Sequence, residues 1–202
     1  MATMVAAVAF GAQAQTVTKP AEFYFDADAS TARSIVVVEG DGEALASGLV
    51  KARARGRRQM EATAQLAHVA FGDERAELGK SLYEEAVAGT GQNSTMGRSI
   101  RWNYAWDLYR NGDFAQAFGL WNELGAGFGQ PAWLPPTMAL SLWSLDRKAE
   151  AMQWYAAAVR TEPGRWSDPA NYPALLPGWR EQDRARLAEV FAAWQAAPPA
   201  WP

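Results

Sequence analysis

Hydrophobic and polar positions change period along this chain, and the changes mark its elements. After a short apolar run from Met4 to Ala12 come Glu22-Phe23-Tyr24-Phe25 and Ser34-Ile35-Val36-Val37-Val38-Glu39, separated by Asp26-Ala27-Asp28-Ala29-Ser30. These β-branched and aromatic runs predict a small β-hairpin within 15–42, which must lean on other elements because an isolated two-stranded hairpin is marginal in water. From 43 to about 71 the spacing turns helical, with Leu45, Leu49, Met60, Leu66 and Val69 among Ala, Glu and Gln, although Gly48 and Gly56 weaken that helix. Gly72-Asp73 ends it, and a second helix from about 74 to 88 carries Leu78, Leu82 and Ala86 at spacings of four. The segment 43–90 is therefore expected to be an antiparallel helix pair, followed by a linker from Gly89 to Ser94.

Beyond that linker a repeat of 34 residues emerges: Ala105, Leu108, Ala117 and Trp121 recur as Ala139, Leu142, Ala151 and Tyr155. Small residues recur where two helices touch, and large ones where neighbouring helices need filling. Asn111-Gly112-Asp113 supplies a short turn in the first unit, Gly112 tolerating the positive φ of a tight helix connection. Leu145-Asp146-Arg147 takes its place in the second.

The run from Ala149 to Pro163, closed by its proline, and the unit from Asn103 to Ala117, with its Gly-Asp-aromatic turn, resemble tetratricopeptide repeats. The resemblance covers about a third of the chain and implies two tandem helical hairpins over 98–163. The expected fold class is thus all-α, tetratricopeptide-like hairpin repeats with the small N-terminal β-hairpin. A third repeat is only partial: Ala185 keeps the spacing, and Asp183 can cap a helix with an apolar stripe of Leu187, Val190, Phe191 and Trp194. Pro169, Pro173 and Pro177 forbid an ordinary partner helix, so 164–202 reads as a Pro-rich segment plus a capping helix that shields the last hairpin.

In that family the first helix of each hairpin lines a concave groove. Carried onto this chain, the resemblance implies a partner-binding surface from Ser99, Trp102, Asn103, Trp106, Tyr109 and Arg110 in the first repeat and Trp133, Leu140 and Trp143 in the second. Aromatic side chains bring large contact area at low entropy cost, so such a groove can grip an extended peptide. The alternative is a cell-wall glycan stacked on Trp102, Trp106, Trp133 and Trp143, for which open, parallel ring faces are required. Trp121 and Trp154 read as core.

Composition narrows the remaining classes. All ten tryptophans lie between Trp102 and Trp201, marking a change of architecture at the linker. A formal charge of -3 disfavours nucleic acid, and the one basic cluster, Lys51 to Arg58, reads as a solvated helix face. With no cysteine, disulfides, thiolate metal sites and cysteine nucleophiles are excluded. The single histidine, His68, has no nucleophile or carboxylate at a diagnostic spacing, and neither a metal site nor a cofactor motif is apparent. The chain reads as a non-enzymatic adaptor. Residues 1–14 form a candidate signal peptide, ending in Ala12-Gln13-Ala14, although the first basic residue is Lys19. The expected location is periplasmic or secreted, with the cytoplasm as the alternative.

Overall fold

The computed structural model describes residues 19–54, 56–91, 94–127 and 129–200, so the candidate signal peptide lies outside the described residues. Their regular elements are helices: α1 (Gly42–Ala54), α2 (Gln59–Gly72), α3 (Ala76–Ala88), α4 (Thr95–Asn111), α5 (Phe114–Gly125), α6 (Leu134–Ser144) and α7 (Lys148–Thr161). After them come two four-residue helices, α8 (Pro163–Trp166) and α9 (Tyr172–Leu175), joined by a 3-10 turn at Pro169–Asn171, and the long α10 (Glu181–Ala196). Among the described residues no helix is long and apolar enough to cross a membrane.

The body is a succession of packed helix pairs, α2 with α3, α4 with α5 and α6 with α7. Each later pair rests on the one before it, α4 on both α2 and α3, and α6 on α5. At one end α1 packs on α2; at the other α10 covers both α6 and α7, as the apolar stripe of Leu187 and Val190 requires. The eight repeat positions, Ala105, Leu108, Ala117, Trp121, Ala139, Leu142, Ala151 and Tyr155, are all buried.

The turns inside the pairs share one backbone solution. Gly112 sits at φ 93°, its N–H bonds the Tyr109 carbonyl at 3.1 Å, and the Asp113 N–H reaches back to the Leu108 carbonyl at 2.9 Å. Asp146, at φ 58°, reproduces this, with the Asp146 N–H on the Trp143 carbonyl at 3.1 Å and the Arg147 N–H on Leu142 at 2.9 Å. Glu74, at φ 60°, does the same between α2 and α3, with the Glu74 N–H on Phe71 at 3.2 Å and the Arg75 N–H on Ala70 at 2.8 Å. Left-handed backbone at these sites satisfies carbonyls that a helix end would otherwise leave open. At the N-terminus of α4 the Ser94 hydroxyl does the complementary job, accepting the Gly97 N–H at 3.0 Å.

Two expectations need correction. First, 43–71 is not one helix: Gly56, at φ 110°, separates α1 from α2, and a left-handed residue cannot continue a right-handed helix. Second, the predicted β-hairpin does not form among the described residues. Residues 19–41 run as an extended strap over the helix pairs, and their one ladder contact is an isolated bridge from Asp26 to Pro131. The Val37 and Val38 N–H groups bond the Gln65 side-chain oxygen at 2.6 and 3.1 Å, and the Gln65 amide returns a bond to the Val38 carbonyl at 2.7 Å. A helix side chain thus occupies the backbone groups that a partner strand would have used.

The Pro-rich segment behaves as its prolines dictate. Pro163, Pro169 and Pro173 each stand in the first turn of a short helical piece, where the missing N–H costs nothing and the fixed φ helps. Tyr155 ties this segment to the body through bonds of 2.6 Å to the Trp166 carbonyl and to the Tyr172 hydroxyl.

Candidate binding chamber

The strap and the Pro-rich segment close over the stacked pairs, leaving between them a chamber of about 770 Å³. Its walls come from α2 (His68), α4 (Trp102, Asn103, Trp106, Asp107, Arg110), the start of α6 (Trp133), the strap (Ile35, Glu39) and the Pro-rich segment (Leu176, Trp179). Successive helical turns of α4 place Trp102, Trp106 and Arg110 one above another, since residues four apart share a face. The sequence pattern therefore dictates this wall.

The tryptophans interlock edge to face. Trp102 meets Trp133 with ring centroids 4.8 Å apart and planes at 63°, and Trp106 meets Trp179 at 4.9 Å and 69°. Trp106 also touches the core ring of Trp121 at 5.0 Å. All of these rings are at least nine-tenths covered, so they offer edges and rims to the chamber rather than open, parallel faces. This is not the platform geometry a stacked sugar needs.

Of the sequence-derived site residues, Trp102, Asn103, Trp106, Arg110 and Trp133 meet around the chamber. The chain itself already uses three of them. Asn103 donates to the Arg33 carbonyl of the strap at 2.8 Å, the Trp133 indole N–H donates to Asp28 at 3.1 Å, and Arg110 lies over Trp106 while reaching the Gly178 carbonyl at 3.4 Å. Tyr109, Leu140 and Trp143 do not line the chamber. Leu140 is wholly inside the core, because α6 turns that face toward its neighbours. Tyr109 is buried against Phe114 and Trp121 with its hydroxyl on Ser144 at 2.9 Å. Trp143 faces α10, its indole N–H on Glu189 at 2.9 Å and the Lys148 ammonium 4.2 Å over its ring. Ser99 is buried, its hydroxyl without a hydrogen-bond partner among the described residues.

Asp28 anchors the strap. It accepts from Thr31 at 2.9 Å, Trp133 at 3.1 Å and Arg98 at 3.2 Å. Burial alone would raise its carboxyl, but these donors outweigh it and hold the group below its ordinary value.

A polar constellation that sequence spacing did not reveal stands at the other end. His68 Nδ1 lies 2.9 Å from both oxygens of Asp107, a carboxylate 39 residues away, and the Tyr83 hydroxyl donates to the same carboxylate at 2.6 Å. Asp107 is almost wholly buried whereas the His68 side chain is 57% exposed, so the imidazole is oriented from within and presented outward. The hydrogen bond to Asp107 raises the imidazole above its ordinary value, against burial and the nearby charges of Arg110 and Arg180. Burial, followed by the charge of Asp107, pushes the Tyr83 phenol well up, so it remains a donor. The one signal in the sequence was Asp107 itself, a lone carboxylate inside the aromatic run from Trp102 to Tyr109. Among the described residues no three metal-ligating side chains converge.

The fold and site define a helical repeat-like protein of packed helix pairs with a partly open aromatic chamber. Comparison with protein families, with characterised proteins and with solved structures returns no match to this chain.

Proposed function

We propose that this is a tetratricopeptide-like adaptor, non-catalytic, that holds a short segment of a partner protein or peptide in the aromatic chamber. The 34-residue recurrence and the shared turn geometry of the helix pairs support the repeat reading. One observation carries the binding reading: the helix pairs already grip extended polypeptide. Asn103 and Gln65 take the backbone of the strap through Arg33, Val37 and Val38, as side-chain amides do when they read a peptide main chain. The space left beside the strap, about 770 Å³, is within the range of about 300–1,000 Å³ that buries a small ligand. Tryptophan edges supply apolar contact, and Arg110 and His68 supply direction. The apolar run at residues 4–12, as a candidate signal peptide, supports a location in the cell envelope, with the cytoplasm as the alternative.

The test is site-specific photocrosslinking in the full chain. Leu175, half-buried on the chamber wall, is replaced by benzoylphenylalanine and the protein is illuminated in envelope extract. The expected product is a covalent adduct to one defined partner segment, competed by a synthetic peptide of that segment. Crosslinks confined to the chain's own strap and Pro-rich segment would end the adaptor reading.

A further inference from the structure

Beside the chamber lies a smaller cleft of about 260 Å³, lined by His68, Asp107, Arg110, Asn111, Arg180 and the Phe71-Gly72 end of α2. His68, Asp107 and Arg110 belong to both spaces. The two carboxylates within reach are already engaged: Asp107 accepts from Tyr83 and faces His68, and Asp183 accepts the Arg180 backbone N–H at 3.0 Å. The cations are less fully engaged, although Arg110 lies over Trp106 and reaches the Gly178 carbonyl at 3.4 Å. Arg110 is 3.8 Å from Asp183 and its buried Nε has no partner among the described residues. The exposed Arg180 side chain forms no ion pair among them. Burial first, and then the like charge of Arg180, lowers the Arg110 guanidinium. When His68 is protonated, three positive groups face two carboxylates that are already in use.

We propose that this cleft is an oxyanion subsite, in which His68, oriented by Asp107, acts with Arg110 and Arg180 to receive a carboxylate or phosphate group of the ligand. The subsite rests on the binding reading for its purpose, but small oxyanions test the cleft by itself. Asp107 holds the proton on Nδ1, and protonation places a second N–H at Nε2, for which no described residue competes. The guanidinium groups supply planar donors suited to oxyanions. The charged and titratable groups around His68 are Asp107 and Arg110 from α4, Arg180 just before α10, and Tyr83 and Glu39 on the chamber wall; Asp183 stands 3.8 Å from Arg110. An imidazole ordinarily titrates near neutrality, so binding is linked to the His68 proton.

His68 is the chain's single histidine, so a 15N-labelled imidazole reports on this site alone. In the full chain, acetate and inorganic phosphate are titrated against chloride at equal ionic strength. Both oxyanions should shift the imidazole saturably. Acetate affinity should fall about tenfold per pH unit once the imidazole deprotonates, because the bound anion and the proton stabilise each other. Tighter phosphate assigns a phosphoryl ligand, and parity or better for acetate assigns a carboxylate. Arg180→Gln, on the surface, should weaken binding about tenfold while leaving the helical spectrum intact. His68→Gln keeps a hydrogen bond to Asp107 and should abolish the pH dependence of acetate binding, read by broadening of the acetate resonance. No saturable response relative to chloride, or a response untouched by both variants, overturns the subsite. An N-acetylated tripeptide and its amide separate the two readings. Preference for the acid supports the subsite, whereas equal binding of both in the chamber with a silent His68 keeps the chamber and removes the subsite.

Discussion

The helix pairs of 59–161 and the two segments that cover them are built by different forces. Inside the pairs, Trp121, Phe118, Trp154, Leu108 and Leu142 have essentially no solvent exposure, and apolar burial holds the elements together. The strap at 19–41 has few such anchors. Tyr24 is buried beside Trp154, but Phe25 and Val36 are exposed, and the strap stays in place through Asp28, Asn103 and Gln65. Burial of apolar area is cooperative and hard to undo locally, whereas a segment held by polar bonds can open by itself. The body is therefore the part that unfolds as a unit, and the covering the part that can open by itself.

The largest effect should come from the body. Trp121→Ala removes a fully buried indole that touches Trp102, Trp106 and Tyr109, and should cost about 3–5 kcal/mol in denaturant unfolding. Asp28→Ala strikes the covering instead and should lower the opening free energy of the strap by about 1–3 kcal/mol in amide hydrogen exchange, with little change in the midpoint of global unfolding. If Asp28→Ala lowered that midpoint as far as Trp121→Ala, the distinction between body and covering would be lost.

Smaller changes sharpen the same contrast. Ser94→Ala removes the α4 cap and should cost about 1 kcal/mol, felt throughout the body; Asn103→Ala should cost a similar amount, about 1 kcal/mol, felt in exchange protection of the strap. Acid should release the strap by the same route as Asp28→Ala. The Asp28 carboxyl is held below its ordinary 3.8, so its contribution is full above about that pH and is lost as pH falls through the lowered value. The smallest effect belongs to His68, whose value is raised above 6.5. Its contribution is complete below about that pH and declines as pH rises through the raised value, a slope that His68→Gln should remove.

Much of the body was legible in advance because helix pairs advertise themselves locally. Ala105 and Ala139, Leu108 and Leu142, Ala117 and Ala151 carry a period that holds only if the same contacts recur, and all are buried. The helix expected at 183–195 followed from its apolar stripe and the prolines before it, and α10 packs there on α6 and α7. The strap misled because Ile35 to Val38 has the composition of a strand, and composition says nothing about whether a neighbour or a helix side chain such as Gln65 will satisfy its backbone.

What the sequence determined by itself was the helices from α3 to α7 and the closing α10, the apolar partner faces and the wall of Trp102, Trp106 and Arg110 on α4, since spacing within one helix fixes which side chains share a face. Only the tertiary structure decided that Leu140, Tyr109 and Trp143 turn away from the chamber and that Trp179 and the strap close it. The union of His68, Asp107, Tyr83 and Arg180, drawn from distant points of the chain, was likewise settled there. Contacts between residues far apart in sequence depend on how whole elements stack, and no local period records that.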